Sequence, residues 1–149
     1  MHKLMIGAMI TAAGYIAIAR AADDFPPLNP QVVNSGREVY RQYCASCHGA
    51  KAEGAPNWQK RDEHGELPAP PNNAEGHTWR HSDAMLYDMI SKGLRDPFNK
   101  TTRLTMPAFA DVLSPEQIRA VITYLKTLWT PEQRQFQAEE SRSQSPMKP

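Results

Sequence analysis

The chain has 149 residues, 17 of them Lys or Arg against 16 Asp or Glu, for a formal charge of +1. So even a balance excludes the concentrated positive field of a nucleic-acid binder, and 13 prolines in a chain that is 40% hydrophobic point to one modest domain rich in loop. At the N-terminus His2 and Lys3 precede an uncharged run, Leu4 to Ala19, and Ala19-Arg20-Ala21 puts small residues at both positions a signal peptidase reads. Residues 1–21 therefore read as a signal peptide cleaved after Ala21. The run is short of the roughly 20 apolar residues that span a bilayer comfortably, an uncleaved membrane anchor being the alternative. Cleavage removes Lys3 and Arg20 and no acid, leaving 15 basic and 16 acidic residues.

From Pro30 to Ala45, Val32, Val33, Gly36, Val39, Tyr40 and Tyr43 recur at three-and-four spacing, with Asn29 placed to cap and Pro30 at the first helical position. Gly36 inside that helix costs about 1 kcal/mol relative to alanine, so its presence implies the close approach of another helix. The helix runs straight into Cys44-Ala45-Ser46-Cys47-His48. Cys-x-x-Cys-His is a haem attachment sequence. The two thiols can add across the two vinyl groups of a haem, and His48 can place an imidazole nitrogen on the iron. Rival readings are weaker. A structural zinc site wants about four Cys or His ligands, and the chain has no other cysteine. A redox dithiol wants a βαβ context, and no parallel-strand runs are present. A plain disulfide is the remaining alternative.

Between His48 and Ser82 lies a long segment without helical period that contains Pro56, Pro68, Pro70 and Pro71; loops of this length are usually functional or disordered. Trp58, His77 and Trp79 could reach a haem edge and bond its propionates, or could serve packing. Ser82 caps a second helix through Lys92, with Met85, Leu86, Met89 and Ile90 as its apolar stripe and Gly93 to close it. Asn99-Lys100-Thr101 fits a glycosylation sequon, and Lys51, Lys100 and Arg103 are either a docking rim or ordinary solvated charges. Ser114-Pro115-Glu116-Gln117 is a capping box opening a third helix, with Ile118, Val121, Ile122, Leu125 and Trp129 on one face. Gly36 and Tyr40 would meet Val121 and Tyr124 across it. Thr130-Pro131-Glu132-Gln133 repeats the cap signature and predicts a short polar helix. Residues 131–149 read as a polar C-terminal tail, its last eight or so residues (about two turns of chain) expected to be disordered.

The order of these features resembles the class I, mono-haem c-type cytochromes. The resemblance rests on the N-terminal helix with Gly36 and Tyr40, the motif from Cys44 to His48, and Ile122-Thr123-Tyr124-Leu125-Lys126 in the last helix, and it spans residues 29–130. It implies an all-α class I cytochrome c fold in which the N- and C-terminal helices cross and one covalent haem c sits in a loop-lined crevice. It implies export to the periplasm, where a bacterial chain acquires such a haem. The sixth iron ligand in that family is a methionine from the loop before the final helix, where Met106-Pro107-Ala108-Phe109 stands here; a thioether raises the reduction potential. Met106 is otherwise a gap filler, with His77 or His81 as substitute ligands and Met85 and Met89 assigned to the core. A ligating histidine gives its other N–H to an acceptor, in this family a proline carbonyl soon after the motif. Pro56 fits best, Pro70 and Pro71 being alternatives. The expected cofactor-binding set is thus Cys44, Cys47, His48, Met106, Pro56, Trp58 and Trp79, with His48 and Met106 on the metal. The implied function is one-electron transfer between redox partner proteins, without enzymatic activity and with peripheral association with a membrane complex as a further option. The alternatives are an electron-delivering subunit of an oxidase or dehydrogenase, and a peroxidase or small-ligand binder with an open sixth position.

Overall fold

The computed structural model describes residues 27–144. The expected signal peptide at residues 1–21, and residues 145–149 of the tail, lie outside the described residues. Helix α1, Pro30–Val39, starts where the sequence says it should: Asn29 Oδ1 accepts the N–H of Gln31 at 2.9 Å and Pro30 opens the first turn. It does not continue to Ala45 as one α-helix. Tyr40–Cys44 form a π-helical turn, and α2, Ala45–His48, carries the motif to Gly49, whose φ of +83° ends it. A π turn widens the helix by one residue, so it re-aims Cys44 relative to the face α1 presents. Helix α3, Asp83–Lys92, is capped by Ser82 Oγ on the Met85 N–H. Helix α4, Pro115–Lys126, and helix α5, Pro131–Ser143, each begin with a complete capping box, from Ser114/Gln117 and Thr130/Gln133. Thr78–Arg80 make one 3-10 turn. The architecture is all-α, as expected; among the described residues the isolated bridge between Leu94 and Met106 is the one extended pairing.

The frame is the crossing of α1 and α4. A Cβ at Gly36 would lie 2.0 Å from the Ala120 carbonyl oxygen and 2.9 Å from Tyr124 Cβ, so only glycine lets the two backbones approach this closely. The residue facing Gly36 is therefore Ala120, with Tyr124, and not Val121, which is buried in the core. One turn along, the rings of Tyr40 and Tyr124 meet at 5.4 Å. Val39, Leu86, Ile118, Ile122, Leu125 and Trp129 complete a core whose burial supplies the main stabilising term.

Helix α5 is the polar helix the Thr130 cap signature predicts, and it reaches Ser143, two residues into the stretch expected to be disordered. What differs from expectation is that it is docked, by polar side chains. Gln137, 1% exposed, donates from Nε2 to Asp83 Oδ1 at 2.7 Å and to Ser141 Oγ at 3.0 Å. Ser82 Oγ, in addition to capping α3, donates to Gln144 Oε1 at 2.6 Å. With Phe136 edge-on to Trp79 as its apolar contact, α5 shows little hydrophobic periodicity. Its sequence alone therefore looks solvated.

Candidate haem site

Cys44 and Cys47, three residues apart in a helical segment, fall on one face; Cys44 is half-buried, Cys47 is exposed, and both thiols are free. Burial, with Cys47 nearby, pushes the Cys44 thiol up to about 11. A redox dithiol needs the opposite shift, toward thiolate at neutral pH, so the local electrostatics disfavour that rival reading.

His48 Nδ1 lies 2.8 Å from the Pro70 carbonyl oxygen. A carbonyl only accepts, so Nδ1 carries the proton and the lone pair is left on Nε2. Burial holds the imidazole below its ordinary value, against the opposing pull of the Pro70 bond, and so keeps it neutral. Neutral, with one nitrogen anchored and the other bare, is the state an iron ligand requires. The residues therefore fit a haem held by the motif.

The acceptor is Pro70 and not Pro56. Pro56 is exposed, in a turn whose next residue, Asn57, has φ +56°, and the adjoining Trp58 is half-buried. The chain instead folds back on itself to bring the later proline to His48. Ala52, fully buried at φ +60°, offers its carbonyl to the Asn72 N–H at 2.9 Å, while Gly54 N–H returns to the His48 carbonyl at 2.8 Å. Pro71 is fully buried between two glycines: a Cβ on Gly54 would lie 2.6 Å from Pro71 N, and one on Gly76 would lie 2.0 Å from Pro71 O. Trp129 Nε1 donates to the Asn72 carbonyl at 2.9 Å and ties this loop to the end of α4. The Pro-Pro doublet is thus a rigid seat that aims the Pro70 carbonyl.

Met106 is half-buried and packs, with Cys44, Tyr43 and Phe109, on the margin of the same apolar core. Its backbone is bound to Leu94 in both directions, at 2.9 and 3.0 Å. Gly93, at φ +75°, lets this happen, since a Cβ there would lie 2.7 Å from the Met106 carbonyl oxygen. Phe109 and Ala110 then donate their N–H groups to Ile90 and Ser91, satisfying the open end of α3. Of the other methionines, Met89 packs on the core as expected, but Met85 is exposed.

The remaining candidates are mostly engaged elsewhere. Trp79 donates its indole N–H to the Gly76 carbonyl at 3.0 Å and stacks edge-on against Phe136, so it packs the loop onto α5 and has no N–H to offer a propionate. His77 and His81 face each other at 5.6 Å beside the same turn. Burial, and then His77, hold His81 below its ordinary value. Arg103 pairs with the buried carboxylate of Glu66, and Lys100 Nζ donates to the Glu63 carbonyl at 3.1 Å; neither is a loose rim charge. Lys51 is exposed. The sequon residue Asn99 is 5% exposed, its side chain bonded to Thr101 N–H and to the Arg103 carbonyl, which leaves no amide for a glycan. Sequence reasoning missed Glu66, Asn72 and the Gly54/Gly76 clamp. The Pro-Pro doublet between glycines was the available signal for the clamp; nothing local marks Glu66.

Residues 31–125 match the family described as cytochrome C oxidase, cbb3-type, subunit III. The cbb3-type cytochrome c oxidase subunit CcoP of Rhodobacter capsulatus is 34% identical over 113 residues, 72% of this chain and 33% of that protein. The cbb3-type cytochrome c oxidase subunit FixP of Sinorhizobium medicae is 30% identical over 104 residues, 69% of this chain and 32% of that protein. A nitrite reductase of Stutzerimonas stutzeri is 23% identical over 130 residues, 83% of this chain and 21% of that protein. The chain spans about a third of the length of the two oxidase subunits it matches.

Proposed function

The chain belongs to the cytochrome c oxidase, cbb3-type, subunit III family, and from that premise we propose that it carries single electrons through one haem c, bound covalently at Cys44 and Cys47 and ligated by His48 and Met106. The observation that carries the reading is the His48–Pro70 hydrogen bond, which leaves a neutral Nε2 lone pair one residue from a thiol. Haem iron, when bound, supplies a reversible one-electron change of oxidation state. The chain's own residues do the rest. Cys44 and Cys47 tether from one helical face. Pro70 holds the His48 ring against rotation. The bridge between Leu94 and Met106 holds the loop that brings the thioether, a soft neutral donor that favours the reduced state. His48 and Met106 would both ligate the iron, which would leave it no open position for a substrate, and the chain would act as a carrier without enzymatic activity. Two oxidase subunits among its relatives support delivery of those electrons to an oxidase complex at a membrane, with this domain on the exported side. Among the described residues no helix is long and apolar enough to cross a membrane.

The test is spectroscopic. Denatured holoprotein should keep a haem stain on a gel, and the oxidised protein should show the weak near-infrared band of sulfur-to-ferric-haem ligation. Met106→Ala should abolish that band, lower the potential and admit carbon monoxide to the reduced protein. A colourless band on the gel defeats the attachment reading. Rapid carbon monoxide binding by the unmodified protein would replace the carrier with a ligand-binding or enzymatic function.

A further inference from the structure

Glu66 is a carboxylate whose side chain is 6% exposed, and it is not among the residues that would hold the haem. It accepts from Arg103 Nε at Oε1, at 2.9 Å, and from Arg103 Nη2 at Oε2, a bidentate fork, and Thr101 Oγ1 donates to the same Oε1 at 3.5 Å. Arg103 stands three residues before Met106, and Glu66 four residues before Pro70. The pair therefore joins the segment that carries the acceptor for His48 to the segment that carries Met106. The surrounding contacts run the same way. Asp62 Oδ1 accepts the N–H groups of His64 and Glu66 at 2.9 Å, folding the first segment into a tight turn. Arg61 reaches Asp96 at 2.7 Å, and Lys100 N–H reaches the His64 carbonyl at 3.1 Å. Asp96 N–H donates to Thr105 Oγ1, which donates in turn to the Leu94 carbonyl at 2.9 Å, next to the bridge that holds Met106. Residues 94–105 have no helix or sheet of their own, and Phe98 at their tip is 70% exposed. Apolar burial does not hold this segment; hydrogen bonds and ion pairs do.

We propose that Glu66 is a positioning residue for the sixth ligand: its ion pair with Arg103 latches the loop that presents Met106, and so sets how readily that ligand leaves the iron. The proposal rests on Met106 being the sixth ligand. A buried carboxylate stripped of its cation is costly, so Arg103→Gln strains the latch from the Glu66 side, whereas Glu66→Gln removes the buried charge, keeps the side-chain shape and breaks the ion pair at less cost to the fold.

The experiment uses full-length ferric holoprotein, following the near-infrared sulfur band and the rate at which cyanide displaces it, alongside global thermal unfolding. Glu66→Gln and Arg103→Gln should each keep the band at neutral pH but speed cyanide entry by about tenfold, and the double variant should add little, because both changes remove one interaction. Lys126→Gln, which breaks the ion pair to Asp83 between α4 and α3, serves as the control. It should lower the melting temperature and leave the cyanide rate alone. If Arg103→Gln leaves cyanide entry unchanged in a protein that shows the band, the latch is overturned while the ligation stands. The latch is equally overturned if all three variants change cyanide entry only in proportion to their loss of global stability. If the unmodified protein lacks the band, the Met106 ligation itself falls, and the latch with it.

Discussion

The two sides of the haem site are built by opposite means. On the His48 side everything is close in sequence or clamped by backbone: the proposed ligand and tethers share five residues, and the acceptor sits on a doublet whose second proline is fully buried between glycines. On the Met106 side the presenting loop depends on a few scattered backbone bonds and on ion pairs that keep one partner in solvent. Buried backbone contacts have few ways to yield. Ion pairs with one partner in solvent are screened by salt and can exchange that partner for water. Ligand exchange should therefore begin on the Met106 side, with the His48 side changing only when the fold itself gives way.

The strongest challenge to that contrast is a change that should strike both sides equally. Gly36→Leu drives a side chain into the Ala120 carbonyl, where no flexible group can retreat. Overpacking at a backbone contact should cost about 3 kcal/mol or more, seen as a drop in melting temperature of roughly 10 °C or more for a domain of this size. His48 and Met106 spectral features should then be lost together in a thermal melt. An unchanged melting temperature would mean that α1 and α4 are not the shared frame.

A smaller perturbation should touch the His48 side alone. Gly76→Ala places a Cβ against the Pro71 carbonyl and must shift the doublet, at a cost of about 1–3 kcal/mol. Resonance Raman of the iron–histidine stretch in a reduced Met106→Ala background should report a weakened Pro70 bond, while the near-infrared band of Gly76→Ala alone persists. Loss of that band with the stretch unmoved would reverse the assignment of the two sides.

The mildest perturbation should touch the Met106 side first. The Phe98 N–H and then the Arg61 guanidinium hold Asp96 below its ordinary value, and the Glu66 and His64 N–H groups do the same for Asp62. A carboxyl depressed by folding contributes stability that is present above its unfolded value and is lost as pH falls through its folded value. Acidification below the ordinary carboxylate range should therefore loosen the 61–67 and 94–105 segments first, read as faster cyanide entry before any loss of helical circular dichroism. Coincident loss of both signals would show that the lobe is no weaker than the frame.

Much of this was legible in the chain. Asn29, Ser82, Ser114 and Thr130 each cap the helix their spacing predicts, because capping is a bond between neighbours within three residues. Gly36 announced a helix crossing because nothing else explains glycine in mid-helix. The choice among prolines was not legible, since Pro56 and Pro70 both follow His48 and only the fold-back at Ala52 decides between them. Nor was the docking of α5, whose contacts are side-chain amides and hydroxyls that leave no periodic apolar trace.

The attachment motif, the helix starts and the tight crossing follow from the order of residues alone, because each depends on neighbours in the chain or on a residue type that one local conformation demands. Which carbonyl orients His48, which cation meets Glu66, and whether the polar C-terminal segment packs down were decided by the folded chain. Each of these is a hydrogen bond or ion pair between groups more than twenty residues apart. Such bonds need only one donor and one acceptor, which the chain supplies in excess, so their pairing follows from where the backbone brings them and not from what they are.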